Sequence, residues 1–210
     1  MVIYEFLRLI VHCVYRLLFR YEAYGQENIP EEGAVLLCAN HLSNWDPPFV
    51  GLTVKRRVNY MAKQELFRIP VLRTVIRWFG AFPVKRGATD KKAIRTALER
   101  LREGKVVLIF PEGTRSKTGQ LGKAFPGSGF LALREKCTVI PVAIIGPFRL
   151  FHKVKIIYGP PIDLEDLRKP KAGRAEAEEA TKRIMEGIGR LLKQNGGATS
   201  SNGASFVNGV

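Results

Sequence analysis

The chain has 210 residues, 46% of them hydrophobic, enough to bury the core of one sizeable globular domain with a small appendage and too few for two large domains. Lys and Arg total 34 against 19 Asp and Glu, a net charge of +15, so the surface field favours anionic partners such as nucleic acid, anionic lipid or a phosphorylated small molecule. The cysteines are Cys13, Cys38 and Cys137; odd in number, far apart and set in apolar segments, they indicate neither a disulfide framework nor a C-x-x-C metal site and read as buried thiols in a reducing compartment.

From Met1 to Arg20, the residues Arg8, His12, Arg16 and Arg20 recur every four positions and would form one drifting polar stripe on a helix, while nearly everything else there is apolar or aromatic. No uncharged run reaches the roughly 18 residues of a spanning helix, and no small-residue cleavage site follows. Residues 1–24 are therefore read as an amphipathic helical segment that associates with a membrane interface or packs in a helical pair. Ala34 to Ala39 is a short buried strand. After it, Asn40-His41-Leu42-Ser43-Asn44-Trp45-Asp46-Pro47 places an imidazole and a carboxylate five positions apart on a turn, with Pro47 and Pro48 suited to the first turn of a helix that Asp46 could cap. Taken alone, the pair reads more readily as a helix cap beside a packed histidine.

Lys55-Arg56-Arg57 adds a basic cluster. Phe67 to Phe82 interleaves Arg68, Arg73 and Arg77 with Leu72, Val75, Ile76, Trp78 and Phe79, a mixture suited to phosphate headgroups and acyl chains. Thr89 or Asp90 opens a helix through Leu101 that stops at Gly104, and Lys105 to Phe110 follows as a β-rich buried run. Gly129 to Arg134 is helical, Val139 to Ile145 a second buried strand, and Lys153 to Tyr158 a more peripheral one. Ala175 to Leu192 is a long helix with Ile184, Ile188, Leu191 and Leu192 facing inward. This alternation predicts an α/β fold, a mixed, largely parallel sheet covered by helices, over residues 25–194. The Gly, Ser, Asn and Ala content of residues 195–210 reads as a disordered tail or appended sequence.

Immediately after the strand ending at Phe110 stands Pro111-Glu112-Gly113-Thr114-Arg115-Ser116. Pro stops strand pairing, Gly113 permits a tight turn, and Thr114, Arg115 and Ser116 offer donors to an anion, Arg through two parallel hydrogen bonds. Loops at the carboxyl ends of parallel strands share one edge, so this loop and the His41 turn are expected to meet in one crevice.

These residues resemble the glycerolipid acyltransferases, specifically the 1-acyl-sn-glycerol-3-phosphate (lysophosphatidic acid) acyltransferases. Four blocks carry the resemblance: Asn40-His41 to Asp46-Pro47, Gly80 to Arg86, Phe110 to Ser116, and Val139 to Ala143. It implies transfer of a fatty acyl group from acyl-CoA or acyl carrier protein to the sn-2 hydroxyl of lysophosphatidic acid, giving phosphatidic acid. The enzyme would sit peripherally or monotopically on the cell membrane with its site facing the cytoplasm. His41 would be the general base and Asp46 its orienting partner. Arg86 and Arg115 would contact the phosphate, and Glu112 would position the glycerol or Arg115. Gly113 and Thr114 would complete the loop, and Lys105, which starts the strand leading to it, is a further candidate. Neither cofactor nor metal is implied, and nothing in the sequence speaks to oligomeric state.

Three other readings stay open. Glycerol-3-phosphate or another lysolipid could be the acceptor. A hydrolase or acyl-enzyme route would need Ser43 or Cys38 as nucleophile. A basic nucleic-acid- or membrane-binding module without catalysis would explain the charge, although no aromatic RNA-binding signature, zinc spacing or basic recognition helix accompanies it.

Overall fold

The computed structural model describes residues 2–85, 90–146, 151–169 and 172–196, with residues 2–7 as backbone. Arg86, Thr89 and the stretch from 197 onward lie outside the described residues. The elements in chain order are α1 (Val2–Leu18), β1 (Arg20–Tyr24), β2 (Val35–Ala39), α2 (Asp46–Thr53), β3 (Val58–Lys63), α3 (Pro70–Trp78) and β4 (Ala81–Val84). There follow α4 (Lys91–Arg102), β5 (Val106–Ile109), α5 (Gly127–Arg134), β6 (Thr138–Ile145), β7 (Lys153–Tyr158) and α6 (Arg174–Gln194).

Among the described residues seven strands form one sheet in the order β1-β7-β6-β2-β5-β3-β4, parallel at every pairing except β6 with β7. The expected mixed, largely parallel α/β sheet is the fold observed. β2 and β5 are apolar on both faces and buried throughout, as strands covered by helices on two sides must be. Alternation along β2 sends Val35, Leu37 and Ala39 to one face and Leu36 and Cys38 to the other. The first face packs under α1, α2 and α3 through Tyr15, Phe19, Phe49, Val50 and Ile76. The second packs under α4, α5 and α6 through Ala97, Leu101, Leu131, Ile184 and Ile188. Asp90 caps α4, its carboxylate accepting the N–H groups of Lys92 and Ala93.

Four expectations change. The N-terminal helix ends at Leu18, and Arg20–Tyr24 is an edge strand in register with β7, so the sheet begins before residue 25. β7 is not peripheral, because β1 flanks it on the outside. Cys38 and Cys137 are buried, but Cys13 is exposed on α1. The Lys55-Arg56-Arg57 cluster is partly internal: Arg56 donates to the carbonyls of Pro30, Gly33 and Gly104, and Arg57 to that of Arg77.

The orientation of α1 is the reverse of a soluble amphipathic helix. Arg8 and His12 turn toward the protein, while Leu9, Ile10, Val14 and Leu17 face outward, Leu17 at 73% exposure. α3 buries none of its residues completely and presents Val71 and Trp78 to the exterior, with Ile69 and Leu66 just before it. No helix among the described residues is long and apolar enough to cross a membrane.

Candidate active site

The carboxyl ends of β2, β3, β4, β5 and β6 share one edge of the sheet, and the His41 turn and the loop after β5 both leave from it. Where β2 ends, the Asn40 side chain takes over the pairing with β6: its Oδ1 accepts the Ile144 N–H (2.7 Å) and its Nδ2 donates to the Ile144 carbonyl (2.9 Å). The backbone is thereby free to turn, and His41 leaves the sheet at a fixed point.

Asp46 opens α2 but does not cap it. Pro47 and Pro48 follow at once and have no N–H to offer a capping carboxylate. The side chain turns back instead: Oδ2 accepts from His41 Nδ1 (2.6 Å), Leu42 N–H (2.7 Å) and Ser43 N–H (2.8 Å). Asp46 is 0% and His41 7% exposed. The His41 ring stacks on Phe110, centroids 4.0 Å apart and planes 19° from parallel. With Nδ1 held by the acid and one face covered by Phe110, Nε2 is the ring atom left for a proton to reach.

The loop after β5 is built onto the same histidine. The His41 N–H donates to Glu112 Oε1 (3.1 Å), and the His41 carbonyl accepts the Ser116 N–H (2.8 Å). Glu112 Oε2 accepts the Gly122 N–H (2.8 Å). A Cβ at Gly122 would stand 2.9 Å from that oxygen, so a larger residue there would have to displace the Glu112 carboxylate. Gly113 closes the turn with φ of 63°, its N–H donating to the Phe110 carbonyl (2.9 Å). Burial pushes the Glu112 carboxyl above its ordinary pKa, while the Gly122 and His41 N–H groups work against the shift.

The sequence-predicted residues divide as follows. His41, Asp46, Glu112, Gly113, Thr114 and Arg115 come together at one edge. Gly113, Thr114 and Arg115 are exposed there, and Arg115 has no hydrogen bond or ion pair among the described residues. Arg86 lies outside the described residues, although Lys85, directly before it, follows the end of β4 at this same edge. Lys105 is at the opposite edge: it precedes β5, pairs with Glu103, and stands five strand positions from Phe110, roughly 16 Å at about 3.3 Å per residue. Its assignment to the substrate site is withdrawn on that geometry. Glu112 also differs from expectation, since its buried carboxylate holds the backbone of His41 and Gly122 and does not reach toward Arg115 or an outside ligand.

The alternative nucleophiles do not fit. Cys38 is fully buried on the α4–α6 side of the sheet, and burial pushes its thiol well above the ordinary range. Ser43 Oγ accepts the Trp45 N–H (3.3 Å) and is not among the hydrogen-bond partners of His41. No group of His, Cys, Asp and Glu among the described residues could hold a metal ion. Phe110 begins the third of the four blocks, but at the end of an apolar run nothing local to it foretells that its ring stacks on His41.

Fold and site together define an α/β protein with a buried carboxylate–imidazole dyad at the carboxyl edge of its sheet and an exposed arginine loop beside it. The chain belongs to the acyltransferase family, whose model, described as Acyltransferase, matches residues 20–145. It is 31% identical over 175 residues to the 1-acyl-sn-glycerol-3-phosphate acyltransferase of Bacillus subtilis (strain 168), covering 79% of this chain and 86% of that protein. It is 29% identical over 154 residues to the enzyme of the same name from Streptococcus pneumoniae, covering 70% of this chain and 57% of the relative, so it spans little more than half of that protein. Among solved structures, the 1-acyl-sn-glycerophosphate (LPA) acyltransferase PlsC from Thermotoga maritima matches with a TM-score of 0.68 and 27% identity, over 87% of this chain and 78% of that one.

Proposed function

We propose that the protein transfers a fatty acyl group from an acyl thioester, acyl-CoA or acyl carrier protein, to the sn-2 hydroxyl of 1-acyl-sn-glycerol-3-phosphate, giving phosphatidic acid. The observation that carries this reading is the joining of two loops through one residue. His41 gives its ring to Asp46 and its backbone to the loop that bears Arg115.

The chemistry follows from that arrangement. His41 Nε2 takes the acceptor hydroxyl proton as the oxygen attacks the thioester carbonyl. Asp46 stabilises the imidazolium that results. Collapse of the tetrahedral intermediate breaks the carbon–sulfur bond, and the leaving thiolate recovers the proton from His41. The donor is already activated, so neither a covalent enzyme intermediate nor a cofactor is required. Arg115, unpaired among the described residues, meets the acceptor phosphate with its planar fork, and Arg86 is assigned to the same anion. Gly113 and Thr114 shape the approach to it.

The protein works at the cytoplasmic face of the cell membrane as a peripheral or monotopic enzyme. The outward apolar faces of α1 and of the segment around α3 support this placement, as does the net charge of +15 toward anionic lipid. The test is an acyl-transfer assay with labelled acyl-CoA or acyl carrier protein, each offered both lysophosphatidic acid and glycerol-3-phosphate, on wild type beside His41→Ala. Phosphatidic acid from the monoacyl acceptor, lost in the variant, is the expected result. Product from glycerol-3-phosphate alone would move the assignment to that acceptor, and turnover surviving His41→Ala would end the mechanism.

A further inference from the structure

We propose that α1 is a positioning element for the dyad, with Arg8 and Tyr15 as its two points of contact on the helix that carries Asp46. The proposal rests on the acyltransferase reading of His41 and Asp46. α2 has eight residues, starts at Asp46 and has two prolines in its first turn. So short a helix does not hold itself in water, and its place is set by what packs on it. α1 touches both of its ends.

At the carboxyl end of α2, Arg8 donates to the carbonyls of Leu52 (3.2 Å), Val54 (2.7 Å) and Lys55 (3.4 Å). The Leu52 and Val54 carbonyls are groups that a helix terminus leaves without intrahelical partners, at the negative end of its dipole, and that of Lys55 lies just beyond it. At the amino end, the Tyr15 ring packs edge-on against Phe49 (4.8 Å) and Trp45 (5.7 Å), and Phe19 lies against the same two rings. Asp46 sits between Trp45 and Phe49 in the chain. Its Oδ1 is buried without a hydrogen-bond partner, so all the polar restraint on the carboxylate acts through Oδ2. Packing must supply the rest, and α1 forms the wall on which Trp45 and Phe49 rest.

The inward turn of Arg8 and His12 points the same way. A helix serving only as a lipid contact gains nothing from turning Arg8 inward, 44 to 47 residues away in sequence from the carbonyls it serves. The same holds for His12, whose Nδ1 meets the Tyr21 hydroxyl at 2.7 Å. Those contacts serve the body of the protein and leave Leu9, Ile10, Val14 and Leu17 facing away from it.

The experiment uses the full chain, labelled with 15N-histidine in detergent micelles, and follows the His41 Nδ1 proton by NMR; its resonance is assigned by its absence in His41→Ala. In Arg8→Gln and in Tyr15→Ala, exchange of that proton with solvent is expected to quicken about 10-fold, one decade in the local opening equilibrium. In the acyl-transfer assay kcat falls about 10-fold in the same variants while KM for the acceptor moves less than about 2-fold, a loss confined to the reacting geometry. Tyr15→Phe keeps the ring and stays near wild type in both readouts. Unchanged proton exchange in folded Arg8→Gln overturns the proposal, as does a fall in kcat with the resonance unmoved. Should Tyr15→Ala fail to fold, Arg8→Gln decides the matter alone. A wild type with a protected Nδ1 proton that transfers no acyl group refutes the acyltransferase reading, and the resonance still decides whether α1 braces the dyad.

Discussion

Replacing Asp46 with Asn tests the dyad with the least disturbance of shape. Oδ2 of Asp46 serves three donors, the ring nitrogen of His41 and the N–H groups of Leu42 and Ser43. An amide oxygen in its place can still accept from all three, and the amide nitrogen then falls where Oδ1 is buried without a partner. The three contacts that hold the turn survive, an unpaired buried amide NH2 replaces an unpaired buried oxygen, and what is lost opposite the ring is the negative charge facing the imidazolium. A hydrogen bond between charged groups contributes about 1.5–3 kcal/mol, against about 1 for a neutral one. At about 1.4 kcal/mol per decade of rate, the difference of about 0.5–2 kcal/mol allows a fall in kcat of roughly 2- to 30-fold. KM for the acceptor stays within about 3-fold, because the carboxylate touches no substrate in the proposed mechanism. Phosphatidic acid formation, followed from pH 6 to 9 on Asp46→Asn and wild type of equal thermal stability, makes the comparison. A variant within about 2-fold of wild type across that range would show that the charge does no work in the transition state.

The remaining predictions concern the loops and their supports. Glu112→Ala strands the His41 and Gly122 N–H groups at about 1–3 kcal/mol each, so urea unfolding should show about 2–5 kcal/mol lost, with activity falling alongside. Because burial raises the Glu112 pKa, the folded chain takes up its proton more readily than the unfolded one. Its contribution is complete below the ordinary carboxylate value and declines as pH rises through the raised one; Glu112→Gln should flatten that part of the stability profile. Asp90 is shifted the other way, its pKa lowered first by the Lys85 N–H and then by those of Ala93 and Lys92. Asp90→Ala should cost about 1 kcal/mol at neutral pH, and the difference from wild type should vanish as pH falls through the depressed pKa. Arg115→Ala should raise KM for the phosphorylated acceptor about 10- to 100-fold with a smaller effect on kcat, and Arg115→Lys should recover part of the loss.

What could be read from the sequence was what depends on neighbours along the chain. The five-residue spacing of His41 and Asp46 after an apolar strand, the glycine at position 113 and the Asp90 cap are local matters, and each appears as expected. Parallel pairing of the central strands followed from their burial on both faces. The errors share a cause. Lys105 belongs to the right strand and the wrong edge, a distinction that needs the direction of β5. The role of Glu112 depends on Gly122, ten positions along, and on His41, 71 positions back, and no local pattern records such a meeting.

The backbone of His41 explains why the two signature loops act as a unit. A residue just past the end of a strand ordinarily loses its ladder partners, and its N–H and carbonyl must be satisfied in another way. His41 meets both needs within the loop after β5, through the Glu112 carboxylate and the Ser116 N–H. Phe110, at the start of that loop, covers the imidazole. Any displacement of the loop that bears Arg115 therefore pulls on His41, and any displacement of His41 disturbs the loop. The separation of His41 from the Arg115 loop is thus held by hydrogen bonds at a single residue, and not by the 15-residue stretch between Phe110 and Pro126 taken as a whole. Glu112 also ties down Gly122, near the far end of that stretch, and Phe125 N–H returns to the Pro111 carbonyl (2.9 Å), so the far end of the loop closes on the same turn.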